Sequence, residues 1–186
     1  MFKKFLLLAS AGLMAIGPAV AAEKVKIGFV TTITTPAGVI GKDMVDAVNL
    51  AMEDIGGKMA GLDVELIVED DGFKPAIGKQ KTDKLVKQDK VQFVTGFIWS
   101  HVLLASQKSA LGAGKFLISS NAGPSQMAGK LCHKNFFSTS WQNDQTPMAM
   151  GEVLNLNNVK SLYVMAPNYA ACLLYTSPSP RDFQVS

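Results

Sequence analysis

An α/β fold built on a parallel sheet is the class that this 186-residue sequence predicts, and three observations predict it. Apolar segments with the two-residue period of strands alternate with segments carrying the 3.6-residue stripe of helices. Glycine, proline or small polar residues stand where each connection must turn. The strand and helix unit recurs several times, and such units form right-handed crossovers that set strands side by side with helices on both faces.

In "KVKIGFVTT", Val25, Ile27 and Phe29 alternate with polar or small residues, as in a first strand. "GKDMVDAVNLAMEDIGG" follows as a helix with Met44, Val48, Ala51, Met52 and Ile55 on one stripe, ended by Gly56 and Gly57. "LDVELIVED" reads as the second strand and "PAIGKQKTDKLVKQ" as the second helix, with Pro75 suited to its first turn. "VQFVTG", "HVLLASQKSALGAG" and "KFLISS" supply a third strand, a third helix and a fourth strand. The rhythm then shifts. "NAGPSQMAGKLCHKN" is a long loop, "FFSTS" a short strand, and "TPMAMGEVLNLNN" a helix leading to the strand "SLYVMAP". Polar residues cluster over 140–144 and mark a boundary. Residues 22–140 are therefore expected to form an N-terminal ligand-binding lobe, and 141–171 a hinge with a second lobe only begun.

Both ends are expected to lie outside the folded domain. Lys3 and Lys4, the apolar run over residues 5–16, Gly17-Pro18 and the small-residue site Ala19-Val20-Ala21 make residues 1–21 a secretory signal peptide. The apolar run is shorter than the roughly 20 residues of a spanning helix. No cysteine stands at the cleavage point to take a lipid. The mature protein is thus expected to be exported, periplasmic, soluble and not membrane-anchored. From Cys172 onward the chain has two prolines, no amphipathic period and its only arginine. Residues 172–182 resemble the translated mosaic-end adapter of transposase-based sequencing libraries, so 172–186 is expected to be a non-native tail.

Setting aside Lys3, Lys4, Arg181 and Asp182 leaves 15 basic against 14 acidic residues. The lysines at 79, 81, 84, 87 and 90 are interleaved with Asp83 and Asp89, which reads as a solvated helix face. Nucleic acid is not an expected partner. Cys132 is the one cysteine of the expected domain, and its disulfide partner, if it has one, is not within that domain.

Open parallel sheets bind ligands outside the carboxyl ends of their strands. Three loops lie there. "TTITTPAG" offers hydroxyls and amides. "GFIWSHVLLA" has Gly96 for a close turn, Trp99 as a flat apolar wall and Ser100 at the helix N-cap. "SSNAGPS" brings small residues whose amides can face a ligand. Helix-terminal N–H groups there suit a carboxylate without help from a cation. Plainer roles are open for each: Ser100 as a cap, Trp99 as packing, residues 121–124 as a turn.

Enzymatic motifs are weak. "GAGKF" has Phe116 where a phosphate loop needs Ser or Thr, and it follows a helix. Ser100 lies in "IWSHV", not in G-x-S-x-G. Asp70-Asp71 reads as a turn at a strand end, His101 as a first-turn helix residue, and adjacent Cys132-His133 lack the spacing of a zinc site. No catalytic residues, metal or cofactor are expected.

"GFVTTITTPAGVIGKDMVDAVNLA", "VEDDGFKPAIGKQKTDKLVKQDKVQFVTG", "ISSNAGPSQMAGKLC", "FFSTSWQNDQ" and "APNYAA" together resemble the type I periplasmic binding proteins, in the branched-chain amino acid branch. The resemblance implies two Rossmann-like lobes that close about a hinge over a solute. It implies that Trp99, Ser100, Asn121, Ala122, Gly123 and Ser125 of the first lobe hold the solute's carboxylate, and that Tyr169 reaches it from the second. Gly123 stands where some relatives have threonine, leaving at most a backbone contact there. The implied function is that of a monomeric receptor of an ABC importer. It captures a small apolar carboxylate, such as a branched-chain or aromatic amino acid or an aromatic acid, and delivers it to a membrane permease. A ligand-sensing ectodomain is the alternative. A chain with only one complete lobe is expected to bind its solute weakly, because half the cleft is missing.

Overall fold

The computed structural model describes residues 24–163 and 165; the signal-peptide segment, Tyr169 and the 172–186 tail lie outside them. β1 (Val25–Thr31) runs through the middle of a six-stranded sheet, parallel to β3 (Leu62–Asp70) on one side and to β4 (Phe93–Gly96) on the other. Beyond β4 lie β5 (Phe116–Ser119) and the edge strand β6 (Phe136–Ser138), both parallel. A two-residue antiparallel strand, β2 (Lys58–Met59), borders β3. Sequence periodicity could not reveal so short an element.

The strand order 2-3-1-4-5-6 reverses direction at β1. One crossover from β1 leads outward to β3, and the next returns past β1 to β4. Right-handed crossovers in opposite directions put their helices on opposite faces, so the chain leaves β1 and β4 toward opposite sides of the sheet, and this switch point is where such sheets place their sites.

α2 (Pro75–Lys87) and α3 (Ser100–Leu111) cover one face. They enclose Val30, Val94 and Leu117 from three strands together with Leu85, Val102, Leu103 and Ala110, all fully buried. The two helices approach closely at Gly78, where a Cβ would sit 2.3 Å from Val102 Cγ1. Glu69, on the same face, accepts from Lys81 and Lys84 of α2 at 2.7 and 2.8 Å. Burial works to raise the Glu69 pKa, but the two lysines outweigh it and hold the group below its ordinary value.

α1 (Gly38–Asp54) lies on the opposite face, and a Cβ on Gly41 would come within 3.0 Å of Thr31 Oγ1. Its predicted stripe is only partly covered. Met44, Val48 and Met52 are half-buried, but Ala51 and Ile55 are exposed, Ile55 because it falls past the helix end in the turn to Gly56 and Gly57. Further along this face, Phe93, Phe116 and Phe137 line up across three strands, with Phe116 41% and Phe137 51% exposed.

A turn of 3-10 helix, Ser125–Met127, interrupts the segment expected to be one long loop, and Met127 plugs into the core. α4 (Gln145–Leu156) forms as expected, with Gly151 its buried residue. The strand expected at 161–167 is a correction for its described residues, since Ser161, Leu162, Tyr163 and Met165 have no regular structure; Val164, Ala166 and Pro167 lie outside the described residues. A strand is held by its neighbours' hydrogen bonds, and no described strand pairs with this segment.

Candidate ligand-binding site

The end of β4 is bent by two consecutive left-handed residues, Gly96 (φ +99°) and Phe97 (φ +59°). Phe97 N donates to Val30 O at 2.7 Å, and its side chain is fully buried. This kink aims Ile98 and Trp99 along the carboxyl edge of the sheet. Trp99, not Ser100, is the N-cap of α3: its extended backbone (φ −107°, ψ 128°) leaves its carbonyl to accept from Val102 N and Leu103 N at 3.1 and 3.0 Å.

The loop after β5 is stitched to this corner. Ser120 N donates to Gly96 O and Ala122 N to Phe97 O, each at 2.9 Å, and Asn121 Nδ2 reaches Ile98 O at 3.4 Å. Trp99, Ser100, Asn121, Ala122 and Gly123 are thus gathered on neighbouring strand ends, as the sequence predicts. They are not equally available. Trp99 and Asn121 are half-buried, Ala122 is buried, and Ser125 is half-buried at the start of the 3-10 turn. Ser100 is 3% exposed, and its Oγ accepts from Asn143 Nδ2 at 2.9 Å.

Asn143 is a residue that sequence reasoning missed. Its backbone N also donates to Gly123 O at 2.8 Å, so residues 141–143 lie directly over the corner. Gly123 meets Trp141 O so closely that a Cβ would sit 2.0 Å from it. A side chain larger than glycine, such as the threonine the resemblance implies elsewhere, would not fit this packing. A hollow of about 220 Å³ opens on the far side of Gly123, between Met127, Phe136 and Trp141.

The hydroxyls expected from "TTITTPAG" turn mostly toward β3. Thr34 Oγ1 donates to Asp70 Oδ2, and Thr32 Oγ1 to Asp71 Oδ1. Asp70 Oδ1 also accepts from Ile33 N at 2.9 Å and from Gly72 N at 3.0 Å. Burial alone would raise the Asp70 pKa, but the Thr34 hydroxyl and these backbone N–H groups bring it below the ordinary value. Asp71 is fully buried, and burial dominates over its bonds from Thr32 and Phe73, so its pKa is raised. The pair makes the turn that the sequence predicts, with Phe73 N donating to Asp71 Oδ1 at 2.8 Å.

That turn also places an aromatic ring the sequence did not flag. Phe73, held at φ +65°, packs its ring T-shaped with Trp99 (centroids 4.8 Å apart, planes at 87°) and with His101 (4.9 Å, 73°). His101 lies in the first turn of α3 as expected, its Nε2 3.3 Å from Phe73 O. Strand order was the missing signal. Only the reversal at β1 brings the loops of β1, β3 and β4 together.

A parallel α/β lobe with backbone amides and a flat indole at the switch point of its sheet has the geometry of a small-molecule binding lobe. The chain belongs to the periplasmic binding protein family, whose model matches residues 24–178. That match continues past residue 171 into the segment expected to be foreign.

The chain is similar to a solute-binding protein of an ABC transporter from R. palustris in complex with benzoate, at 25% identity and a TM-score of 0.77, covering 83% of this chain and 43% of that one. It is similar to a second, from Rhodopseudomonas palustris BisB5 in complex with 3,4-dihydroxybenzoic acid, at 25% identity and TM-score 0.75, covering 82% and 41%. The branched-chain amino acid transporter substrate-binding protein of Streptococcus pneumoniae, in complex with isoleucine, matches at 26% identity and TM-score 0.65, covering 74% and 40%. The chain therefore spans about two fifths of the length of each. Among curated proteins, none matches. Among the described residues no helix is long and apolar enough to cross a membrane, and no group of three or more His, Cys, Asp or Glu could hold a metal ion.

Proposed function

We propose that this chain is the first lobe of an extracytoplasmic solute receptor of an ABC importer, one that binds a small apolar carboxylate and performs no catalysis. Residues 1–21 direct its export to the periplasm, residues 22–140 form the lobe, and 141–171 begin the second lobe. Closure of the two lobes about the hinge presents the solute to a membrane permease, with the receptor acting as a monomer.

One observation carries the reading: the loops after β4 and β5 are joined by hydrogen bonds into a single corner, with Trp99 at its side and backbone N–H groups at the start of α3. Such a corner suits a carboxylate, and the indole suits an apolar body. In this reading Trp99, Asn121, Ala122 and Gly123 line the first jaw, Ser100 and Ser125 support it, and Tyr169 approaches from the second. The solute belongs among branched-chain amino acids, aromatic amino acids and aromatic acids. The higher TM-scores of the two neighbours solved with benzoate and dihydroxybenzoate favour the aromatic acids.

Ligand-induced melting shifts test this. A chain carrying both lobes is expected to melt several degrees higher with benzoate, hydroxybenzoates, leucine or phenylalanine, and not with the matching amides. Residues 22–171 alone are expected to bind none of them at micromolar concentration. A two-lobed protein indifferent to every carboxylate overturns the reading.

A further inference from the structure

Thr32 stands at the switch point of the sheet, its hydroxyl caught between an indole and a carboxylate. Trp99 Nε1 donates to Thr32 Oγ1 at 2.9 Å, and Thr32 Oγ1 donates to Asp71 Oδ1. A hydroxyl has a single proton, so one that accepts from the indole can still donate that proton to the carboxylate. Thr32 and Asp71 are both fully buried. Asp71 Oδ1 also accepts from Phe73 N, while Oδ2 is buried without a hydrogen-bond partner.

A half-satisfied buried carboxylate is costly, and a native structure that keeps one needs a reason. The surroundings supply it. Asp71 fixes Thr32 through its side chain and Phe73 through its backbone, and both then act on one ring. Thr32 takes the indole N–H, and the Phe73 ring packs T-shaped with the indole, centroids 4.8 Å apart. The four residues follow the ends of β1, β3 and β4, so the constellation exists only once the sheet has formed.

We propose that Thr32 and Asp71 are positioning residues that lock the Trp99 indole as a fixed flat wall of the solute site, shaped for a planar apolar body such as an aromatic carboxylate. The wall's use by a solute rests on the receptor reading above; the lock does not. The titratable groups facing Asp71 are Asp70 beside it and His101 on the first turn of α3. Burial holds the Asp71 pKa above its ordinary value, so the indole should sense a carboxyl titrating above that value.

The test uses the whole chain and no solute. Trp141→Phe leaves Trp99 as the single tryptophan of the two in the sequence. In that background Thr32→Val should speed exchange of the indole N–H with water about fivefold or more, as for a lost hydrogen bond, and redden the emission. Thr32→Ser, which restores the hydroxyl, should return both. Asp71→Asn keeps an acceptor oxygen, so it should hold the emission in place while removing the carboxyl's own contribution to any pH dependence of that emission. Unchanged exchange in Thr32→Val, or a Thr32→Ser variant that behaves like Thr32→Val, would each overturn the lock. Should Thr32→Val fail to fold, Thr32→Ala, which also lacks the hydroxyl, decides by the same exchange measurement. Each outcome leaves the receptor reading to its own melting-shift test.

Discussion

A Cβ on Gly96 would lie 2.3 Å from the carbonyl oxygen of Val30, and the residue's φ of +99° is one that side chains rarely adopt. The obstruction is backbone in the middle of the sheet, so it cannot swing aside as a side-chain tip would. Gly96→Ala is therefore expected to cost roughly 2–4 kcal/mol, combining steric and conformational strain. A fall in the denaturant midpoint with an unchanged m-value would show it, and a neutral result would mean the kink is not needed. Gly96 was legible in the sequence as a turn. Its reason was not, because the Val30 carbonyl is 66 positions away in the chain. Distance in sequence likewise hid Thr32, 67 positions from Trp99, and Asp71, 39 positions from Thr32. Ser100 shows the converse: it lies where the sequence predicts, but Asn143, 43 residues on, occupies its hydroxyl.

At the scale of elements, α2 has a polar face whose charges are arranged for a helix. Asp83 accepts from Lys79 at 2.7 Å and from Lys87 at 2.9 Å, each one turn away. Hydrogen bonds from these lysines lower its pKa from 3.8 to about 2. The unfolded chain then binds the proton more readily than the folded one, so the contribution is whole above about pH 3.8 and disappears as pH falls toward 2. Asp83→Asn should flatten the acid limb of the stability curve in that window. Added salt should weaken the wild-type effect, since these groups face solvent and are screened. An acid limb identical in the variant would remove Asp83 from the account. The interleaving of Lys79, Asp83 and Lys87 made this face readable from spacing alone. The half-covered stripe of α1 was less readable, because periodicity marks which side of a helix is apolar without saying how much sheet lies beneath it.

Across the whole molecule the two faces of the sheet differ. α2 and α3 seal one, while the row Phe93, Phe116 and Phe137 on the other remains partly open. The rings of Phe93 and Phe116 are stacked at 5.6 Å, and Phe137 continues the row at 6.2 Å. Contiguous apolar surface of this kind attracts hydrophobic partners. The chain is expected to enhance the fluorescence of a hydrophobic dye, and Phe116→Ser with Phe137→Ser should reduce that signal by half or more. If the double variant binds dye as the parent does, the row is not the responsible surface. Family membership is a statement at this scale too, since the match runs from residue 24 to 178 while no single loop would identify it.

By itself the sequence determined the order and kind of the principal elements, because side-chain periods of 2 and 3.6 are local properties that need no knowledge of neighbours. It also put Trp99, Ser100, Asn121, Ala122 and Gly123 on segments that follow strands, where the structure has them. Strand order, and with it the meeting of Thr32, Asp71, Phe73 and Trp99, was decided only by the tertiary structure. Hydrogen-bond partners across a sheet are chosen by how crossovers pack, and that choice leaves no periodic trace in the chain.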